Sequence, residues 1–441
     1  MSDLSWVIAA LGLAALAIQL VLISCTLYLF SLRGRCAALD ASGVSGFELP
    51  SVALLKPLKG LEENLEANLR SFFEQDYRGR FELVFTSTDP YDPAVFVARR
   101  VAREYARVRV KFVRASESLT TNPKVAGLSA ALAATSADYV LQSDANVWAS
   151  PSFVRSSVSD ALRLNAALVS APILATGERS FGAALENTQL CSGILPAVSG
   201  AFLILDHPCV VGKAVLIDRV ILNQLGGFAA VRRYLCEDHM LGLRFRRAGY
   251  RVAIGLQPVF NVNIRLSVGA FFARHARWLK MRAVIHRPAF WVEILTNPVT
   301  TLGLAFALAH WSSGAVLWAL GFWALRLGLD WSLTGVLRRE RLPYWSLPAL
   351  LLKDVLLFFA WWGALFSRRV VWRGNEVRFG RHSRIQSCQP LRPKAKETRT
   401  VSLGWSPFRR RYVHTRLEAV NAALEPAERS SVARAASEPL A

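Results

Sequence analysis

From Leu4 to Leu32 the chain carries no charged residue, and this one run constrains the fold more than anything else in the sequence. An uncharged apolar stretch of that length suffices for one crossing of a hydrocarbon core about 30 Å thick. A cleaved leader places its charges ahead of a short apolar core. Here Asp3 precedes the run and Arg33 and Arg35 follow it. The reading is an uncleaved anchor over residues 1–35, with the N-terminus outside and the following chain in the cytoplasm, because basic flanks stay inside. Composition agrees: the 441 residues are 53% hydrophobic yet carry a net charge of +21. That pairing excludes a disordered chain and suits a protein facing anionic lipid. The six cysteines form no CxxC pair, so neither a disulfide framework nor a zinc site is indicated.

Between residues 50 and 265 the apolar runs are short and separated by charge. Val52 to Lys56, Phe81 to Thr88, Val108 to Val113 and Asp138 to Gln142 read as strands. They alternate with helical spacing over Leu61 to Gln75, Pro93 to Ala106 and Pro123 to Ala134. Such alternation predicts an α/β domain built on a mostly parallel sheet. Ligands of these sheets bind beyond the carboxyl ends of the strands, which directs attention to Lys56, Asp89, Asp92 and Asp144.

Each of these residues has an ordinary reading beside the chemical one. Asp144, in Gln142-Ser143-Asp144-Ala145-Asn146, is either a turn aspartate or a hard oxygen ligand for Mg²⁺ or Mn²⁺ bridging a diphosphate. Lys124, after Asn122-Pro123, is a solvated lysine or a phosphate contact at a helix start. Asp238 in Cys236-Glu237-Asp238-His239 is a helix-terminal acid or a general base. Residues 266–287 are amphipathic, basic and aromatic. They are an interfacial helix, in which Arg274, Arg277 and Trp278 meet a diphosphate at the lipid boundary or simply form a positive face. No GxxxxGK[ST], GxSxG, HExxH or GxGxxG signature is present; Gly212-Lys213 lacks the upstream glycine of a phosphate loop.

Apolar sequence resumes over residues 289–367. A span ending near His310 and another from Ala315 to Leu333 would form a hairpin turning at His310 to Gly314 and returning at Arg338 to Arg341. Leu342 to Phe366 carries Lys353 and Asp354 near its centre, so a re-entrant or interfacial hairpin is expected there. From Arg368 to Ala441 there are 16 Lys and Arg against 6 Asp and Glu, the composition of a disordered, lipid-facing tail. Nucleic acid is the other partner of such charge, but no stacking motif or recognition module accompanies it.

Taken in order, LLKPLKG, STDPYDPA, NPK, SDANV, CEDHM and RHARW resemble the ceramide glucosyltransferase family, a branch of the family 2-like glycosyltransferases with the GT-A fold. The resemblance runs from Val52 to Trp278 and extends weakly to the WRGN stretch at Trp372. It implies a UDP-sugar donor, a ceramide-like membrane lipid acceptor, a divalent metal and a catalytic domain on the cytoplasmic face. It also assigns roles: Asp238 as catalytic base, Asp144 to the metal, and Asp89, Asp92, Lys124, Arg274, Arg277 and Trp278 to the nucleotide sugar. SDAN offers one aspartate where many GT-A enzymes have DxD. Hopanoids or other lipids, and galactose or galacturonate donors, are the nearest alternatives. Processive polymer synthesis and non-catalytic lipid binding are more distant ones.

Overall fold

A computed structural model of the chain describes residues 3–41, 49–116, 122–309, 313–340, 342–372 and 375–390. The expected basic tail beyond residue 390, the turn residues 310–312, Arg341, and the Arg and Gly of the WRGN stretch lie outside the described residues.

The central sheet has seven strands. From edge to edge they are Arg109–Arg114, Phe81–Ser87, Val52–Pro57, Tyr139–Ser143, Ala214–Asp218, Leu168–Ser170 and Val252–Ile254. Only Ala214–Asp218 runs against its neighbours, so the sheet is mixed but mostly parallel, as the strand–helix alternation predicts. The physical cause is visible in Val52–Pro57. Val52 and Leu54 enter one apolar layer while Ala53 and Leu55 enter the other, so the strand is buried on both faces. A smaller sheet joins Val147–Trp148, Val259–Val262 and Ile173–Thr176 beside the carboxyl end of Tyr139–Ser143.

The first helix, Asp3–Ala41, packs against Leu195–Leu203, Pro298–Ala309 and Ser313–Arg338. Leu13, Leu20, Val21 and Tyr28 remain exposed on it, an apolar face suited to lipid rather than water. Two described helical stretches, Ala9–Arg33 and Tyr344–Phe366, are long and apolar enough to cross a membrane.

The C-terminal region departs from the sequence reading in two places. The expected span from Ala289 to His310 is broken into Arg287–Leu295 and Pro298–Ala309. Asn297 makes the break: its side chain accepts the Val299 N–H at 2.9 Å, and a proline opens the next helix. Twelve residues of helix reach only about 18 Å. Leu342 to Phe366 is no hairpin either. After a short turn at Tyr344–Ser346 it forms one unbroken helix, Leu347–Phe366.

The two charges that argued for a break are neutralised internally. Lys353 Nζ lies 2.8 Å from Asp330 and 2.9 Å from Asp354, and Gln19 donates to Asp330 at 2.9 Å. A buried charge is tolerated when its partner is buried and bonded with it, whereas the same charge alone would be strongly destabilising. Sequence to either side of this helix is tied to the α/β domain. Arg338 pairs with Glu178 at 2.8 Å, and the Ser383 carbonyl accepts the Leu235 N–H at 3.0 Å. A three-stranded antiparallel sheet, Arg369–Trp372, Asn375–Phe379 and Ile385–Pro390, follows.

Candidate active site

Strand Tyr139–Ser143 delivers Asp144 to the rim of a pocket of about 180 Å³. The Asp144 carboxylate is held between two ammonium groups, Lys124 at 2.9 Å and Lys213 at 3.2 Å. Beneath it, Lys56 donates to the Asp144 carbonyl at 2.7 Å and sits over the Phe72 ring at 4.1 Å. Lys124 is placed by local chemistry: Asn122 caps the helix that Pro123 opens, its side chain accepting the Lys124 N–H at 3.0 Å. The Lys124 ammonium then reaches Glu237 at 3.2 Å and the Gly212 carbonyl at 3.1 Å. Burial alone would lower its pKa, but Asp144 and Glu237 raise it above the ordinary lysine value and keep it charged.

The helix Val268–Ile285, capped by Ser267, supplies the opposite wall. Phe271, His275 and Leu279 recur at helical spacing and bury one stripe. Arg274, Arg277 and Trp278 line the pocket. Under them lies Glu186, which the sequence reading missed. Its two oxygens accept from Arg274 Nη1 at 2.9 Å and lie 3.0 Å from His275 Nε2. Burial would raise the Glu186 carboxyl, but His275 and Arg274 more than offset it and hold it at about 2.

A carboxylate depressed in the folded state adds stability above its ordinary value of 4.5 and loses it as pH falls toward about 2. The thermal midpoint of the wild-type protein is therefore expected to drop more steeply from pH 5 to pH 3 than that of Glu186→Gln. Equal slopes would remove Glu186 from that balance.

Asp238 occupies the first turn of Glu237–Arg247. One carboxylate oxygen accepts the Gly212 N–H at 2.6 Å, the other the His239 N–H at 2.8 Å and the Cys236 thiol at 3.3 Å. Gly212 is required by close approach, since a Cβ there would sit 2.8 Å from the Asp238 carboxylate. Gly212-Lys213, which fails as a phosphate loop, is thus the hinge of the site. Its carbonyl meets Lys124, its N–H meets Asp238, and the next side chain meets Asp144.

The C-terminal sheet braces this helix start from far along the chain. The Ser383 carbonyl accepts the Leu235 N–H at 3.0 Å, and its hydroxyl accepts the Cys236 N–H at 3.2 Å. Val370, Val377 and Phe379 pack on Leu235. Cys236 itself provides no side-chain cap, so Ser383 stands in for one. Ser383 holds a φ of 61°, where glycine is unstrained, so Ser383→Gly removes the hydroxyl without adding backbone strain. This variant is expected to lower kcat about three- to tenfold, the worth of one hydrogen bond, with an unchanged donor KM. A matched rise in KM would make Ser383 a general support rather than a brace for Asp238.

Two expected binding residues do not line the pocket. Asp92 accepts from Ala94 N at 2.8 Å as a helix cap and from Gly60 N at 2.8 and 2.9 Å. It therefore ties down the loop whose Pro57, Lys59 and Glu62 reach the pocket. Asp89 is exposed and accepts the Tyr91 N–H at 2.9 Å. Among the described residues no three His, Cys, Asp or Glu side chains group as a metal site. Asp144 fits a divalent ion only as one carboxylate in a site that diphosphate oxygens complete, the way magnesium is commonly held.

A strand-end carboxylate ringed by lysines and arginines, one glycine away from a second carboxylate, suits transfer of an anionic, activated group. The chain belongs to glycosyl transferase family 21, whose sequence profile matches residues 5–385. It is thus a glycosyltransferase. Ceramide glucosyltransferase 3 of Caenorhabditis elegans is 26% identical over 334 residues, 74% of this chain and 72% of the relative. Ceramide glucosyltransferase 1 of the same organism is 26% identical over 368 residues, 81% and 77% of the two chains. A solved mannosyltransferase, PcManGT from Pyrobaculum calidifontis in complex with GDP-Man and Mn²⁺, covers 80% of this chain and 99% of its own. At 18% identity and a TM-score of 0.39, that likeness is too loose to carry an argument.

Proposed function

We propose that this protein moves glucose from UDP-glucose to the primary hydroxyl of ceramide, inverting the anomeric carbon. One observation carries the reading. The pocket joining Asp144, Lys124, Lys213, Arg274 and Arg277 shares the helix Val268–Ile285 with the apolar C-terminal bundle. A diphosphate and a lipid thereby meet along a single element.

In this reading Arg274, Arg277 and Lys213 receive the charge that develops on the departing nucleotide. Trp278 shapes the sugar side of the pocket, and the loop anchored by Asp92 closes over the nucleoside, with Asp89 at its edge. Asp238, oriented by two backbone N–H groups, takes the proton from the acceptor hydroxyl as that oxygen attacks in line. A Mg²⁺ or Mn²⁺ ion held by Asp144 would supply further charge neutralisation at the diphosphate.

The basic flank at Arg33 orients the first helix so that the α/β domain faces the cytoplasm. Leu347–Phe366, with sequence on both sides tied to that domain, lies along the membrane rather than across it. Its exposed Leu351, Phe359, Trp362 and Phe366 then meet lipid.

The test is UDP release by the purified protein in detergent. Acceleration by ceramide with UDP-glucose, and much less with UDP-galactose or UDP-galacturonate, is expected. Equal release with and without ceramide would contradict the acceptor.

A further inference from the structure

Beside the base, three imidazoles cluster that the reaction as described does not use. The rings of His207 and His239 lie 5.3 Å apart, and those of His207 and His286 lie 4.9 Å apart. His239 directly follows Asp238 and is 6% exposed. Among the described residues, the Nε2 atoms of His207 and His239 are buried without a hydrogen-bond partner. A buried ring nitrogen left unpaired is costly, so two of them side by side ask for a partner. His286 is already engaged through Nδ1, which accepts the Ala289 N–H at 3.1 Å. Burial lowers the pKa of His207, and that of His239 to about 4, so both rings are neutral, each with one donor and one acceptor nitrogen.

Exposed apolar residues adjoin the cluster along the chain. Two residues before His207, the chain exposes Leu203, Ile204 and Leu205. Just beyond His286, the helix Arg287–Leu295 exposes Trp291, Val292 and Leu295. One ring directly follows the base in sequence, and each exposed apolar stretch is continuous in sequence with one of the other rings.

We propose that His207 and His239 form the head-group subsite of the acceptor lipid, hydrogen-bonding the secondary hydroxyl and amide that flank the reacting primary hydroxyl. The inference rests on Asp238 as base and ceramide as acceptor, and adds what selects that head group. A site built to hydrogen-bond a substrate group discriminates strongly against analogues that lack it. The apolar edges admit the chains of the lipid, and the rings read the polar head between them.

The test compares ceramide with its 3-deoxy and N-methyl analogues as acceptors for the full chain in detergent, with UDP-glucose as donor. The wild-type protein is expected to favour ceramide in kcat/KM. His239→Phe, which keeps a ring but no hydrogen bond, is expected to reduce that preference about tenfold. His207→Phe, at a more open position, provides the same readout where the buried substitution disturbs folding. Stabilisation by UDP-glucose is expected to be unchanged in both. An undiminished preference, or an equal loss with all three acceptors, would overturn the subsite and leave the rings a packing role. Transfer that survives in Asp238→Asn would refute the base itself, and the subsite with it.

Discussion

Asp238→Asn is expected to lower kcat for sugar transfer by about a hundred- to ten-thousand-fold while UDP-glucose binding stays intact. The amide keeps the size of the side chain and still accepts the Gly212 N–H that orients Asp238. What it loses is the ability to take a proton, along with the bond from the His239 N–H, which an amide nitrogen cannot accept. Because neither Asp238 nor Gly212 lines the pocket proposed for the donor, donor affinity has no reason to fall. Steady-state kinetics beside a donor-binding isotherm separate the two quantities. A variant that binds UDP-glucose poorly, or that turns over at the wild-type rate, would remove Asp238 from the role of base.

The second large effect is expected at Lys124. Its ammonium meets Asp144, Glu237 and the Gly212 carbonyl within 3.2 Å while being almost fully buried. Lys124→Met takes an ammonium from Glu237, which keeps Asn122, and from Asp144, which keeps Lys213. Removing one partner of a buried ion pair costs about 3–5 kcal/mol. The thermal midpoint is expected to fall sharply and UDP-glucose binding to vanish. Lys124→Arg is not expected to rescue either, because a planar guanidinium does not fit three acceptors arranged around a point charge. A stable Lys124→Met protein with wild-type donor affinity would show that the carboxylates around Lys124 are held by other means.

Much of this arrangement is legible in the sequence because it is local. Strands buried on both faces write themselves as runs such as Val52-Ala53-Leu54-Leu55. The strand-end rule then leads to Asp144, and the helix openings at Pro123 and Glu237 lead to Lys124 and Asp238. The residues that escape are those whose role exists only in three dimensions. Glu186 is the one charged residue of Phe181–Thr188, with no motif around it, and becomes meaningful only under Arg274 and His275. Gly212-Lys213 looks like a failed phosphate loop until the strand Ala214–Asp218 brings it beside Asp144. Ser383 meets Cys236 across 147 residues, a distance no local pattern spans.

Asp92 illustrates the reverse. A residue read as a direct nucleotide contact is taken up by a helix cap and a loop anchor, two backbone interactions that sequence spacing does not distinguish from ligand binding. Lys353 and Asp354 mislead for a similar reason. Two charges in an apolar segment suggest a break, whereas Asp330 on the preceding long helix absorbs the lysine and lets the helix continue.

The most direct test of the central claim is the mass of the lipid product. Purified protein in detergent, given UDP-glucose, ceramide and Mg²⁺ or Mn²⁺, is expected to yield ceramide heavier by one hexose in β linkage. UDP release with the ceramide mass unchanged would contradict that claim and leave a glycosyltransferase directed at a different acceptor.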